Sequence, residues 1–230
     1  MNRRTFLAAG SAAVATSAFA LNPPRKLRVG VIGHTGRGNY GHGLDTVWLK
    51  LPDTEVVAVA DAHVNGLANA RKRLQVPQGF ADYQEMLRKV RPDIVAVCPR
   101  HADQHHDMAL AATKSGVRGI YIEKPFMRTP AEVDSLAAAC KKHGTKIAIA
   151  HRNRWHPMLE VIDQFIADGH LGKILEIRGR GKGDRRGGGE DLWVLGSHVL
   201  NIIHYFGGKP LTCSARMFQD GQPVVGTHVK

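Results

Sequence analysis

Cysteine is scarce in this 230-residue chain: only Cys98, Cys140 and Cys213 occur, with no C-x-x-C pair among them. An odd count without paired spacing excludes a disulfide framework. Cys98 ends an apolar run and Cys140 falls in a helical pattern, so both read as core thiols. Long apolar runs are missing as well. None after the N-terminus approaches the roughly 20 residues that cross a bilayer, so stable membrane insertion is not expected. Acidic residues are few, 20 against 32 Lys and Arg, for a net charge of +12, or +10 once Arg3 and Arg4 leave with a signal segment. That balance suits nucleic acid, phosphate-bearing ligands and a solvated surface equally. Aromatics are absent from the run Arg178-Gly-Arg-Gly-Lys-Gly-Asp-Arg-Arg-Gly-Gly-Gly189. Bases would have nothing to stack on there, so the run reads as a substrate-side loop able to hold an acidic sugar or carboxylate, and no nucleic-acid partner is expected. His101, His105 and His106 share no helix face and have no carboxylate pair nearby, so no metal site is expected.

Residues 1–20 have the form of a targeting segment. Asn2-Arg3-Arg4-Thr5-Phe6-Leu7 resembles a twin-arginine signal, Leu7 to Phe19 is a modest apolar core, and Ala18-Phe19-Ala20 is a small-x-small cleavage site. The expectation is export by the twin-arginine route to the periplasm, with any cofactor loaded beforehand.

The mature chain is organised around Lys26-Leu-Arg-Val-Gly-Val-Ile-Gly-His-Thr-Gly-Arg-Gly38. Val29, Val31 and Ile32 suit a strand buried on both faces. Gly33, Gly36 and Gly38 follow, and Tyr40 to Lys50 reads as a helix. Strand, glycine turn and helix N-terminus together make an anion site, the phosphate cradle of a dinucleotide-binding unit. Read as G-x-G-x-x-G from Gly33, the second glycine is replaced by Thr35. Thr54 to Ala60 is a second strand ending in Asp61, placed either to accept ribose hydroxyls or to cap the next helix. An acid there would repel a 2′-phosphate, so NAD is expected over NADP. Helices are expected over 62–75, from Asp82 to Val90, from about Gln104 to Ser115 and from Thr129 to His143. Strands are expected at Ile94–Cys98, Gly119–Glu123 and Lys146–Ala150. Strand and helix alternate throughout 26–150, which predicts an α/β doubly wound parallel sheet with its ligand crevice at the strand C-termini, near Pro99 among others.

Val-Gly-Val-Ile-Gly at 29–33, Val-Ala-Val-Ala-Asp at 57–61 and Glu123-Lys124-Pro125 resemble the glucose-fructose oxidoreductase, inositol dehydrogenase and rhizopine catabolism (Gfo/Idh/MocA) family. So do Asn153-Arg154-Trp155-His156-Pro157 and the Gly169-x-Leu-Gly-Lys173 turn. The resemblance implies an NAD(P)-binding Rossmann domain over 26–150. It also implies an α+β substrate and oligomerisation domain over 151–230, with a mostly antiparallel sheet and homo-oligomeric assembly. In that second part Pro157–Asp168 and Asp191–Phe206 read as helices, and Ile174–Arg180 and Leu211–Phe218 as strands. Family members run on past this point, so the second domain is expected to be partial.

The resemblance makes Lys124 the catalytic and substrate-orienting group, directed by Glu123 and Pro125. A lysine beside a cationic nicotinamide, partly desolvated, can shuttle the reacting hydroxyl's proton. His198, in Leu195-Gly-Ser-His198, matches the general acid or base of the family's Asp-x-Gly-x-His pattern, but the aspartate position is Val194 and Asp191 lies two turns away. Asn201 and Arg154 are the candidate substrate contacts. Gly33, Thr35, Gly36, Gly38, Asp61, Pro99, Glu123 and Lys124 are the candidate NAD contacts. The resulting expectation is an NAD(P)-dependent oxidoreductase acting on a carbohydrate or polyol. The alternatives are an NAD-dependent glycosidase of the same family and an inactive nucleotide-binding protein, the latter suggested by Val194 and Thr35.

Overall fold

The computed structural model describes residues 25–181 and 191–224. The twin-arginine segment, most of the Arg/Gly run and the side chain of Asp191 lie outside the described residues. Strands β1 (Leu27–Ile32), β2 (Thr54–Ala60), β3 (Gln78–Phe80), β4 (Ile94–Val97), β5 (Gly119–Ile122) and β6 (Lys146–Ile149) form one sheet in the order 3-2-1-4-5-6. Every pairing is parallel.

Successive side chains on these strands enter opposite faces. Val29, Val31, Val59, Ala96 and Cys98 pack in one buried cluster, and Ile32, Ala58, Ala60, Val95 and Val97 in the other. Burial of both faces is why the strands read as continuous apolar runs. Helix α1 (Val64–Leu74) covers the first face through Ala70 and Leu74. Helices α2 (Tyr83–Val90), α3 (His105–Lys114) and α4 (Pro130–His143) cover the second through Met86, Leu87, Met108, Ala109 and Leu136. The winding reverses between β1 and β4. A doubly wound sheet opens its ligand crevice at that point, outside the strands' carboxyl ends.

Two helices begin where their caps predict. Asp82 accepts from the Gln84 amide, and Thr129 from the Glu132 amide with Pro130 in the first turn. The expected helix over 40–50 does not form; only a four-residue 3-10 turn, Val47–Lys50, is found there. Gly36, Gly38, Asn39, Gly41 and Gly43 all have positive φ. A backbone that visits the left-handed region every second residue cannot propagate a right-handed helix. The anion site therefore lacks the helix dipole that the sequence promised. Strand β3 was not anticipated, since Gln78-Gly79-Phe80 carries no apolar alternation; it forms because β2 offers a ladder.

Beyond β6 the chain forms a 3-10 turn, Arg152–Trp155, and then α5 (Met158–Ala167). A π-helical turn, Asp191–Leu195, leads into α6 (Gly196–Gly207). The antiparallel component is a hairpin of β7 (Phe218–Gln219) and β8 (Gln222–Pro223). The longer strands expected at 174–180 and 211–218 are not formed, and Leu175 and Leu211 are 87% and 95% exposed. A strand is completed by ladder partners, and the described residues supply none at these segments. No helix among the described residues is long and apolar enough to cross a membrane.

Candidate active site

Glu123 and Lys124 follow β5 directly, at the carboxyl edge of the sheet, and both are buried. Glu123 Oε1 accepts from the His42 amide at 3.2 Å and lies 2.5 Å from His42 Nδ1, while Oε2 accepts from the Lys124 amide at 2.6 Å. The carboxylate thus ties the loop after β1 to the loop after β5. Lys124 is only 5% exposed, and its ammonium donates to the Val194 carbonyl at 3.1 Å. It faces a cavity of about 340 Å³ lined by His42, Glu123, Arg152, Asn153, Leu195 and His198, among others.

His198 stands in the first turn of α6, and its ring meets that of His151 edge to face at 5.5 Å. Burial lowers the pKa of His198, and the charge on Lys124 lowers it further. His151 is lowered by the same two causes in the same order. Both rings are therefore neutral near pH 7, competent to accept a proton. His151 Nδ1, His198 Nδ1 and Asn201 Oδ1 are buried polar atoms without a hydrogen-bond partner among the described residues. Such atoms are costly unless a ligand or water meets them.

Some predicted residues are placed elsewhere. Arg154 is not among the residues lining this cavity; its guanidinium lies 4.8 Å over the Tyr205 ring, holding the 152–155 turn to α6. His156 accepts from the Met158 amide and starts α5. Arg152 and Asn153 line the cavity instead. The three histidines of the β4–α3 region do not converge. His105 is fully buried, with Nε2 2.6 Å from the Pro99 carbonyl and Nδ1 2.9 Å from that of Phe126, whereas His106 Nε2 contacts Ser135. His105 thereby clamps the loop carrying Pro99 to the loop carrying Lys124, whose peptide bond to Pro125 is cis. Among the described residues no three His, Cys, Asp or Glu side chains form a metal cluster.

The glycine-rich turn lies at the switch point, partly engaged with itself. The Gly33 amide donates to Ala60, the His34 and Asn39 amides exchange with each other's carbonyls, and the Gly36 amide donates to Asn39 Oδ1. Asp61 accepts from Thr35, Tyr40 and His63. The turn is joined across the crevice by the Arg37–Asp103 ion pair, the His34–Gln104 contact at 2.6 Å and the Arg100 amide donating to Gly38. Beside it a cavity of about 240 Å³ is bordered by Gly33, His34, Asp61, Ala62, Tyr83 and Met108. A dinucleotide fits these residues in kind: an acid at the end of β2, a tight glycine turn, and cavities on both sides of it. Pyrophosphate contact at the turn's amides requires several of those internal bonds to yield.

His42, His151, Arg152 and Asn153 belong to the site without having been anticipated. For His151 the available signal was its position, just past the carboxyl end of a parallel strand. For His42 there was none, because its role depends on the unexpected path of the turn.

Comparison with known proteins follows the same line. Residues 27–151 match the model of the GFO_IDH_MocA family, described as an oxidoreductase family with an NAD-binding Rossmann fold. D-apiose dehydrogenase of Paraburkholderia graminis is 27% identical over 192 residues, covering 79% of this chain and 51% of that protein. D-glucoside 3-dehydrogenase of Escherichia coli is 27% identical over 208 residues, covering 84% and 58%. The chain spans about half the length of these curated relatives. The crystal structure of myo-inositol 2-dehydrogenase from Lactobacillus plantarum superposes with a TM-score of 0.66 at 22% identity, covering 79% of this chain and 56% of that one, a likeness of fold.

Proposed function

The chain belongs to the Gfo/Idh/MocA oxidoreductase family, with its NAD-binding Rossmann fold, and on that premise we propose that it exchanges hydride between NAD and a CH–OH carbon of a carbohydrate or polyol. The observation that carries this reading is the meeting of the Lys124 ammonium and the His198 imidazole at one cavity beyond β5 and β6. The related dehydrogenases act on D-apiose and on D-glucosides, which supports a sugar or polyol as substrate.

The turn over 33–39, with Thr35, Gly36 and Gly38, would hold the cofactor together with Asp61, Pro99 and Glu123. Bound there, NAD supplies the hydride acceptor. Lys124, held beside α6 by the Val194 carbonyl, brings its positive charge to the cavity, where it would steady the substrate oxygen as it loses its proton. The neutral His198 ring takes that proton, and in the reverse direction returns it. Arg152 and Asn153, in the cavity wall, would orient the remaining hydroxyls, and Asn201, one turn beyond His198 on α6 and outside that wall, has a buried Oδ1 without a partner among the described residues.

The same proposal includes export by the twin-arginine route to the periplasm, on the strength of Asn2-Arg3-Arg4-Thr5-Phe6-Leu7, and homo-oligomeric assembly through the part after residue 150. The test is an absorbance assay at 340 nm with NAD and a panel of aldoses, glucosides and inositols. Reduction of NAD with at least one of them is expected. Failure of every member, with protein that binds NAD, would refute the oxidoreductase reading.

A further inference from the structure

Asp61 ends β2 only 2% exposed, and its carboxylate is full. Oδ1 accepts from the His63 amide at 2.9 Å and the Thr35 amide at 3.2 Å. Oδ2 accepts from the Thr35 hydroxyl at 2.6 Å and the Tyr40 hydroxyl at 2.8 Å, and shares the Thr35 amide at 3.1 Å. A carboxylate offers about four acceptor positions, so this one has none to spare. Two of its donors are hydroxyls, one from each side of the glycine-rich turn.

Both hydroxyls are held there by close packing. A Cβ on Gly33 would collide with the Tyr40 ring, and one on Gly66 with Thr35 Oγ1, so two glycines make room for these side chains. The Arg73 guanidinium lies 4.7 Å over the Tyr40 ring and pairs with the buried Asp45. Burial by itself would raise the pKa of Asp61, but the hydrogen bonds from Thr35, His63 and Tyr40 outweigh it and hold the carboxyl below its usual value. The group is ionised when a nucleotide arrives.

We propose that Thr35 and Tyr40 set the strength of NAD binding by occupying, on Asp61, donor positions that a ribose diol takes. Resting on the dinucleotide reading above, this makes NAD binding an exchange of two chain hydroxyls for two ribose hydroxyls. The carboxylate keeps its donors throughout, and the freed turn parts from Asp103 and Arg100 across the crevice. NADP brings only its 3′-hydroxyl to this exchange. Its 2′-phosphate brings no donor and sets a second anion against a buried carboxylate. Thr35 at the second glycine position is then part of the device rather than a defect in the motif.

Because the chain hydroxyls compete with the ribose, removing one strengthens NAD binding. Isothermal titration calorimetry of the full chain with NAD and with NADP tests this in the wild type, Tyr40→Phe, Thr35→Val and Thr35→Ser. Tyr40→Phe keeps the ring against Gly33 and beneath Arg73. We expect Tyr40→Phe and Thr35→Val each to bind NAD about tenfold tighter, NADP to gain clearly less, and Thr35→Ser to match the wild type. NAD affinity equal to or weaker than wild type in both hydroxyl-deleting variants, with unchanged circular dichroism, overturns the proposal. An equal gain for NADP overturns it too. If neither wild type nor variants bind NAD at millimolar concentration, the cofactor reading itself fails and takes this one with it.

Discussion

His151 and His198 meet edge to face, ring centroids 5.5 Å apart and planes at 84°, one two residues past β6 and the other on α6. Lys124 lowers the pKa of both, second only to burial, and for His198 the Arg152 charge adds to it while Glu123 opposes it. Replacing Lys124 by Gln removes that cation, so both pKa values should rise. Imidazole proton resonances followed by NMR from pH 4 to 8 measure this directly. Two unshifted titrations would place the ammonium away from the pair.

The same histidines make stability depend on pH. Their folded-state pKa values lie below the unfolded value of about 6.5, so the unfolded chain takes up protons first as pH falls. The stabilisation is complete above about pH 6.5 and is lost on acidification. Asp61, also lowered, has the same sign, but its contribution is lost only below about pH 4. Calorimetric melting temperatures should therefore fall between pH 7 and pH 5. A His151→Asn, His198→Asn double variant should flatten that slope and leave the steeper loss below pH 4.

Glu123 supports two elements at once, through the His42 amide and ring and the Lys124 amide. Glu123→Ala strands the buried Lys124 amide, releases the more exposed His42 and opens a void, at a cost of about 3 kcal/mol. Glu123→Gln retains one acceptor and should cost about 1 kcal/mol. Urea denaturation reads both as midpoint shifts at constant slope.

His105 fastens the Pro99 loop to the Lys124 loop. Carbonyls only accept, so a neutral ring satisfies one of its two contacts and an imidazolium both. His105→Phe keeps the volume but removes the ring nitrogens that tie the Pro99 and Phe126 carbonyls together, and should cost about 2 kcal/mol. Turnover should fall beyond what the loss of folded protein explains, because Lys124 loses its brace. Comparing kcat per folded molecule at low temperature separates the two effects.

How much of this was legible depended on where each interaction is encoded. Val29, Val31, Val59, Val95 and Val97 announce a sheet buried on both faces, because the pattern of burial is written in the strand itself. Thr129-Pro130-Ala-Glu132 likewise writes its own helix start, although Glu132 takes the Arg128 amide rather than that of the cap. The 40–50 segment misled because its apolar residues suit a helix while Gly41 and Gly43 set positive φ. Arg154 and Arg152 differ only in which side of a 3-10 turn they leave from, and the turn's docking on Tyr205 decides that. The segments at 174–180 and 211–218 have strand-like residues, but ladder partners cannot be read from the strand alone.

The most direct measurement of the central claim is NAD reduction at 340 nm by Lys124→Ala, with NAD affinity determined in parallel by calorimetry. The account predicts a loss of about 10²–10⁴ in kcat, with the dissociation constant for NAD within about twofold of wild type. Turnover within a few-fold of wild type would contradict it, because proton handling would then lie outside the cavity shared by Lys124 and His198.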